Sequence, residues 1–420
     1  MRSLRELYKI GNGPSSSHTM GPKKACEMVK EKYNGERYLV KLYGSLSMTG
    51  KGHLTDKVIR RTLDNVDVIF SQETIAEHPN TMDFFVYNGD TQIGYERFFS
   101  IGGGIVRRQG DDPKEIVNVY PHKYFKEIRD YCEENKLELY EYVYKFEDAD
   151  FKAYLRKIWR TMSKSVDEGL ETTGTLPGIL NVERKAQRIL NRVKFSSSKH
   201  TNKAQLASAY AYAVSETNAS GGEIVTAPTC GASGVLPGVL YYAQEKYNFT
   251  EEKLLNSIAV AGLIGNIVKH NASISGAEAG CQAEIGTACS MAAAAVSVLM
   301  ENDIDTLECA AEIAMEHHLG LTCDPILGYV QIPCIERNGV AAMRAINAAE
   351  LAELIGENRK VSFDMVVDTM FQTGKDIKES YRETSEAGLS AFYKNIQIQK
   401  RFIEISEKEN NNSNWVVIFI

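Results

Sequence analysis

No apolar run in the sequence reaches the roughly 20 residues that a membrane helix needs. The most apolar stretches, Ser257 to Val268 and Gly286 to Met300, read as buried helices instead. The N-terminus, Met-Arg-Ser-Leu-Arg-Glu-Leu-Tyr-Lys, is interrupted by charge too often for a signal-peptide core. A basic excess is also missing: 48 Lys and Arg face 55 Asp and Glu, for a net charge of −7. Nucleic acid is therefore not an expected partner, no membrane is expected either, and the cytoplasm is the expected compartment. No Cys-x-x-Cys pair occurs, so neither a zinc ribbon nor a ferredoxin-type run is present. The glycine-rich loops match neither the Walker pattern nor the dinucleotide fingerprint. With no secretion signal in a chain of 420 residues, a disulfide framework is not expected.

What the chain does have is enough apolar material for two cores, 43% of its residues. The first part mixes strand and helix signals. Arg37 to Tyr43, Val66 to Phe70, Thr81 to Tyr87 and Ile116 to Tyr120 read as strands, while Pro22 to Tyr33 and Thr55 to Leu63 read as helices. Lys123 to Lys157 is helical and highly charged, and the connection near 145–165 is expected to be helical itself. From Ala186 onward long Ala-rich segments predict helices over Lys203 to Ser215, Gly234 to Lys246, Glu251 to Ile267, Ile285 to Met300, Leu307 to Leu319 and Ala341 to Leu354. The expected fold class is α+β: a smaller N-terminal α/β domain over 1–150, a larger all-helical domain over 165–395, and a tail over 396–420.

Three groups of residues can carry chemistry. Gly11 to Pro22 crowds Ser15, Ser16, Ser17, His18 and Thr19 into a loop that opens into a helix. Its hydroxyl and N–H donors suit a carboxylate or phosphate, although a polar turn with capping serines would look the same. Tyr43 to Asp56 surrounds Lys51 and His53 with glycines, offering a fixed charge and a base near neutral pH, or merely a turn with a solvated lysine. The third group is the cysteines, six of which lie from 230 to 334. Cys281, Cys323 and Cys334 each sit beside helix-breaking residues, where side chains can converge on a shared centre. Cys289 and Cys309 read as small core residues. Convergent thiolates and inert core thiols both remain open on spacing alone.

Taken together and in order, the motifs are more specific. Gly-Pro-Ser-Ser-Ser-His-Thr-Met-Gly-Pro, Gly-Lys-Gly-His-Leu-Thr-Asp, Ala-Pro-Thr-Cys-Gly-Ala-Ser-Gly, Gly-Cys-Gln-Ala-Glu-Ile-Gly, Cys-Asp-Pro and Pro-Cys-Ile-Glu-Arg-Asn resemble the bacterial iron–sulfur L-serine dehydratases over residues 1–395. The resemblance implies elimination of water from L-serine to give pyruvate and ammonia. It also implies a 4Fe-4S cluster on Cys281, Cys323 and Cys334 with one open iron, and a homodimer. His53 and His18 are then the candidate acid and base, with Ser15, Ser16, Ser17, Thr19 and Lys51 orienting the substrate. In some relatives a C-terminal cysteine caps the open iron. The last cysteine here is Cys334, so capping by a tail cysteine is not expected. The competing readings are a cysteine desulfidase-like lyase, a pyridoxal-phosphate dehydratase and a non-enzymatic iron–sulfur sensor.

Overall fold

The computed structural model describes residues 1–73, 75, 77–111, 117–196, 204–355 and 359–399. A short strand, β1 (Ile10–Asn12), opens the chain and is followed by a π turn (Ser16–Met20) and α1 (Gly21–Lys32). Strand β2 (Arg37–Leu42), helices α2 (Gly44–Thr49) and α3 (Thr55–Thr62), and strands β3 (Val66–Phe70), β4 (Thr81–Asn88), β5 (Thr91–Ser100) and β6 (Val106–Arg108) complete a five-stranded sheet in the order β3-β2-β4-β5-β6. Only the β2–β3 pair is parallel. Along β2 Tyr38, Val40 and Leu42 are buried while their neighbours are half-exposed, the period-2 pattern of a sheet covered on one face. Ala25, Cys26 and Val29 of α1 and Val58 and Ile59 of α3 supply that cover.

The helical part is larger. It contains α4 (Phe125–Asn135), α5 (Leu139–Phe146), α6 (Phe151–Glu171), α7 (Ala186–Lys194) and α8 (Gln205–Ala219), then strand β7 (Glu223–Val225). After it come α9 (Val235–Tyr247), α10 (Glu251–Asn271), α11 (Gly276–Ala279), a second π turn (Gln282–Gly286), α12 (Thr287–Leu299), α13 (Ile304–Glu316), α14 (Cys334–Ile355) and α15 (Phe363–Asp376). Side-chain caps fix several starts: Thr250 for α10, Asp303 for α13 and Ser362 for α15 each accept the N–H three residues on. The central helices are buried almost all round, which is why they read as uniformly apolar rather than amphipathic. Small residues let them approach closely. A Cβ on Gly169 of α6 would lie 2.1 Å from the Ala213 carbonyl oxygen of α8.

All six Ala-rich predictions fall on helices. α14 begins seven residues before its predicted start, at Cys334, and α12 begins after a π turn rather than at Ile285. The predicted strands over 37–43, 66–70 and 81–87 are present, while β5 and β6 were not foreseen. The predicted strand Ile116–Tyr120 is not a strand over 117–120, where the N–H groups of Val119 and Tyr120 both donate to the Met1 carbonyl; Ile116 lies outside the described residues. Most of the expected tail, residues 400–420, also lies outside them.

The two cores do not divide at residue 150. Met1, Leu4, Leu7 and Tyr8 pack with the helices, as do Phe125, Ile128, Tyr142 and Val143 of α4 and α5. The sheet core runs only from Ala25 to Phe98. The reason is that β1 pairs antiparallel with β7, Ile10 against Val225, which ties the first residues to the helical part before the chain crosses to the sheet. Among the described residues one helical stretch, Gln282–Leu299, is long and apolar enough to cross a membrane, and 83% of it is buried inside the fold.

The Gly169 contact yields a stability prediction. Gly169→Ala forces α6 away from α8 and lowers unfolding free energy by about 1–3 kcal/mol, the usual range for overpacking. Urea denaturation followed by circular dichroism measures this, and an unchanged midpoint would contradict the close α6–α8 crossing.

Candidate active site

Three segments of the helical part bring sulfur together. Cys281 follows Gly280, whose φ of +77° turns the chain sharply between α11 and the π turn. Cys323 lies in irregular backbone, and Cys334 is the first residue of α14. The Cys281 Sγ, the Cys323 Sγ and a Glu284 carboxylate oxygen all lie within 4.8 Å of one another. A Cβ at Gly276 would stand 3.0 Å from the Cys323 Sγ and 2.7 Å from the Glu284 Oε2, so only glycine leaves this cradle open.

Arg337, one turn along α14 from Cys334, is the counter-charge. It donates to the Thr322 carbonyl (2.6 Å) and reaches Asp324 at 3.4 Å. A hydrogen bond from Cys323, with the Arg337 guanidinium beside it, lowers the Cys281 thiol below its ordinary value. The Cys323 thiol is held well above its ordinary value, because it is that donor and is buried beside the Cys281 charge. Burial and the same charge push Cys334 up. Burial also raises Glu284, opposed by the Thr229 hydroxyl donating to Oε1 at 2.7 Å. Three cysteine sulfurs and a carboxyl beside Arg337 form a donor set suited to a soft, positively charged metal centre.

A strap after α15 holds Cys323 in place. The Cys323 N–H donates to the Tyr381 carbonyl (2.8 Å), and the Glu383 N–H donates to the Cys323 carbonyl (2.7 Å). Leu389 N–H donates to Asp324 Oδ2 (2.7 Å), and the Ser385 hydroxyl donates to the Pro325 carbonyl (2.6 Å). Glu383, in left-handed backbone at φ 59°, thereby faces the cysteines. Its carboxyl is pushed up to about 8 by burial and by the charges of Glu284 and Cys281.

The sheet part contributes histidine and serine. Ser15 caps the first π turn by accepting the His18 N–H, and its own N–H donates to the Thr19 hydroxyl. The Ser16 hydroxyl accepts from the Cys230 N–H at 3.1 Å and contacts its sulfur at 3.2 Å, joining the two parts of the molecule. His18 is buried with both ring nitrogens engaged, Nδ1 by Ser17 Oγ at 2.8 Å and Nε2 by Ser45 Oγ at 2.9 Å. Burial and the neighbouring His53 hold His18 well below the ordinary imidazole value.

His53 differs in having one free nitrogen. Its Nδ1 lies 3.1 Å from the Thr49 carbonyl, which can only accept, so the proton sits on Nδ1 and Nε2 carries the lone pair. Nε2 is fully buried without a hydrogen-bond partner, 3.9 Å from Glu383 Oε1. Burial lowers His53 to about 4.

A cavity of about 960 Å³ joins these groups, lined by Ser15, Ser16, Ser17 and His53 together with Cys281, Cys323 and Cys334. His18 and Thr19 stand behind the wall and position what lines it; the Thr19 hydroxyl donates to the His53 carbonyl at 2.8 Å. Lys51 is not brought in. It is exposed, with Nζ 5.5 Å from the centre of the Phe70 ring, because the turn that buries His53 two residues later points Lys51 the opposite way. Sequence reasoning missed Glu284, Arg337 and Glu383. The first two lie three residues from a cysteine within the quoted motifs, spacing that puts them on the same helical face. Nothing in the sequence distinguishes Glu383 from an exposed glutamate.

Comparison with known proteins agrees with this architecture. The family model for the serine dehydratase beta chain matches residues 3–67, and that for the serine dehydratase alpha chain matches residues 68–390. The chain is 39% identical to L-serine dehydratase 1 of Escherichia coli K12, over 93% of this chain and 99% of that one. It is 38% identical to the L-serine dehydratase of Haemophilus influenzae, over 93% and 99%, and 37% identical to that of Streptomyces coelicolor, over 92% and 98%. Both family segments are present on one polypeptide, and the chain belongs to the serine dehydratase family.

Proposed function

We propose that this protein dehydrates L-serine to pyruvate and ammonia with a 4Fe-4S cluster held by Cys281, Cys323 and Cys334. The observation that carries the reading is that these three cysteines line the same cavity as His53, with the Cys281 and Cys323 sulfurs within 4.8 Å of each other. The glycine cradle at Gly276 and the Arg337 counter-charge support a cluster there. When bound, such a cluster supplies a Lewis-acidic iron that weakens the bond between the substrate β-carbon and its hydroxyl.

The chain's own residues do the rest. His53 takes the α-proton on Nε2, with Thr49 fixing the tautomer and His18 packed at a ring-centroid distance of 4.5 Å. Ser15, Ser16 and Ser17 offer hydroxyl and backbone donors to the carboxylate. Loss of the α-proton and of the β-hydroxyl as water leaves aminoacrylate, which tautomerises to an imine; water then replaces its nitrogen, releasing ammonia and pyruvate. Homodimerisation and a cytoplasmic setting are part of this proposal.

Three outcomes are expected. Cys323→Ala, purified anaerobically, loses both its iron and serine turnover; an active, colourless variant would refute the assignment. His53→Gln keeps its iron and absorbance but turns over serine roughly 10²–10⁴ times more slowly, the usual worth of a general base. The third concerns pH. Since burial depresses His53 to about 4, its neutral form persists as pH falls through 6.5 and is lost only on approach to 4. His53 therefore imposes no acid limb on kcat/KM between pH 8 and 6, and a fall centred near 6.5 would contradict its buried placement.

A further inference from the structure

Glu383 lines the same cavity as His53, Glu284 and the three cysteines. Glu383 Oε1 is turned toward His53. The 3.9 Å between that oxygen and His53 Nε2 is too long for a hydrogen bond, and Nε2 is fully buried with no partner. Nε2 is the buried atom left unsatisfied, and the cavity that both residues line gives room for a substrate group that meets both. That group must offer N–H donors to the carboxylate and a proton to the imidazole.

We propose that Glu383 receives the α-ammonium of the amino-acid substrate and so sets both the choice of an α-amino acid and the presentation of its α-hydrogen to His53. This rests on the dehydratase reading above and adds to it a residue that touches substrate. The geometry follows from covalent structure. The ammonium nitrogen and the α-carbon are adjacent atoms about 1.5 Å apart. A carboxylate bonded to the nitrogen and an imidazole approaching the α-hydrogen must therefore lie close together without touching. The left-handed backbone of Glu383 is unusual for a non-glycine residue and is kept by its N–H bond to the Cys323 carbonyl. That bond couples the position of the ammonium acceptor to the position of a cluster cysteine.

The test compares two ligands that differ only in the ammonium, L-serine and 3-hydroxypropanoate, on the anaerobically reconstituted holoenzyme. Dissociation constants come from calorimetry, beside serine KM and kcat. Glu383→Gln is expected to keep its iron and its affinity for 3-hydroxypropanoate. Its affinity for serine falls roughly 10- to 100-fold, the usual cost of losing a hydrogen bond to a charged group, so its preference for serine falls by the same factor. If the glutamine variant loses iron, Glu383→Asp carries the test. It keeps the charge but shortens the reach by one methylene, and lowers the preference severalfold. An unchanged preference in the iron-loaded variant overturns the proposal. Wild-type holoenzyme that turns over no serine sinks the dehydratase reading instead, so the two failures are told apart.

Discussion

Everything at the centre of this molecule depends on keeping sulfur and carboxylate donors together, out of water, around one arginine. Two unit negative charges 4.8 Å apart repel by about 3–4 kcal/mol at an effective dielectric of 20. Cys323 donates a hydrogen bond to Cys281, which lowers the Cys281 thiol and raises that of Cys323. Arg337 supplies an opposite charge beside them. A positively charged metal centre is compatible with such a set, since it favours deprotonated ligands. The surrounding fold serves to hold the donors against their repulsion. Gly276 removes the side chain that would fill the space, α14 fixes Cys334 and Arg337 on one rigid helix, and the strap clamps Cys323 through its amide and its carbonyl.

The sheet part completes the site from the other side. Its serine loop is pinned to the helical part through Ser16 and Cys230, and Pro14 is held by the Asn218 amide. The β1–β7 pair ties the chain at the same level. His53 is consequently delivered into a fully buried position by an element that belongs to the smaller core. His53 and the three cysteines thus come from different parts of the molecule, and their distance is set by the interface. A change that loosens this contact would affect catalysis without touching either group.

Much of this was legible in the sequence, for identifiable reasons. The Ala-rich helices were found because helix-forming composition persists over several turns and glycine or proline marks their ends. Cys281, Cys323 and Cys334 stood out because breakers flank them, and His53 because glycines surround it. Lys51 was misplaced by the same reasoning: a loop that buries one residue can expose another two positions away. Strand β5 was hidden because its core-facing positions include Gly94 and Glu96 while Ile93 and Tyr95 face outward, which breaks the apolar-in, polar-out alternation. The division near residue 150 failed because β1 returns the first residues to the helical core, a pairing over 200 residues apart in sequence. Glu383 was invisible because its burial is produced by a strap lying against the Cys323 loop, a purely tertiary fact.

The most direct measurement is Mössbauer spectroscopy on protein reconstituted with ⁵⁷Fe under strict exclusion of oxygen. Three cysteine-ligated irons and one differently ligated iron should give four irons per chain and a spectrum whose fourth site alone changes when L-serine is added. A single mononuclear iron, or four equivalent irons indifferent to serine, would contradict the account.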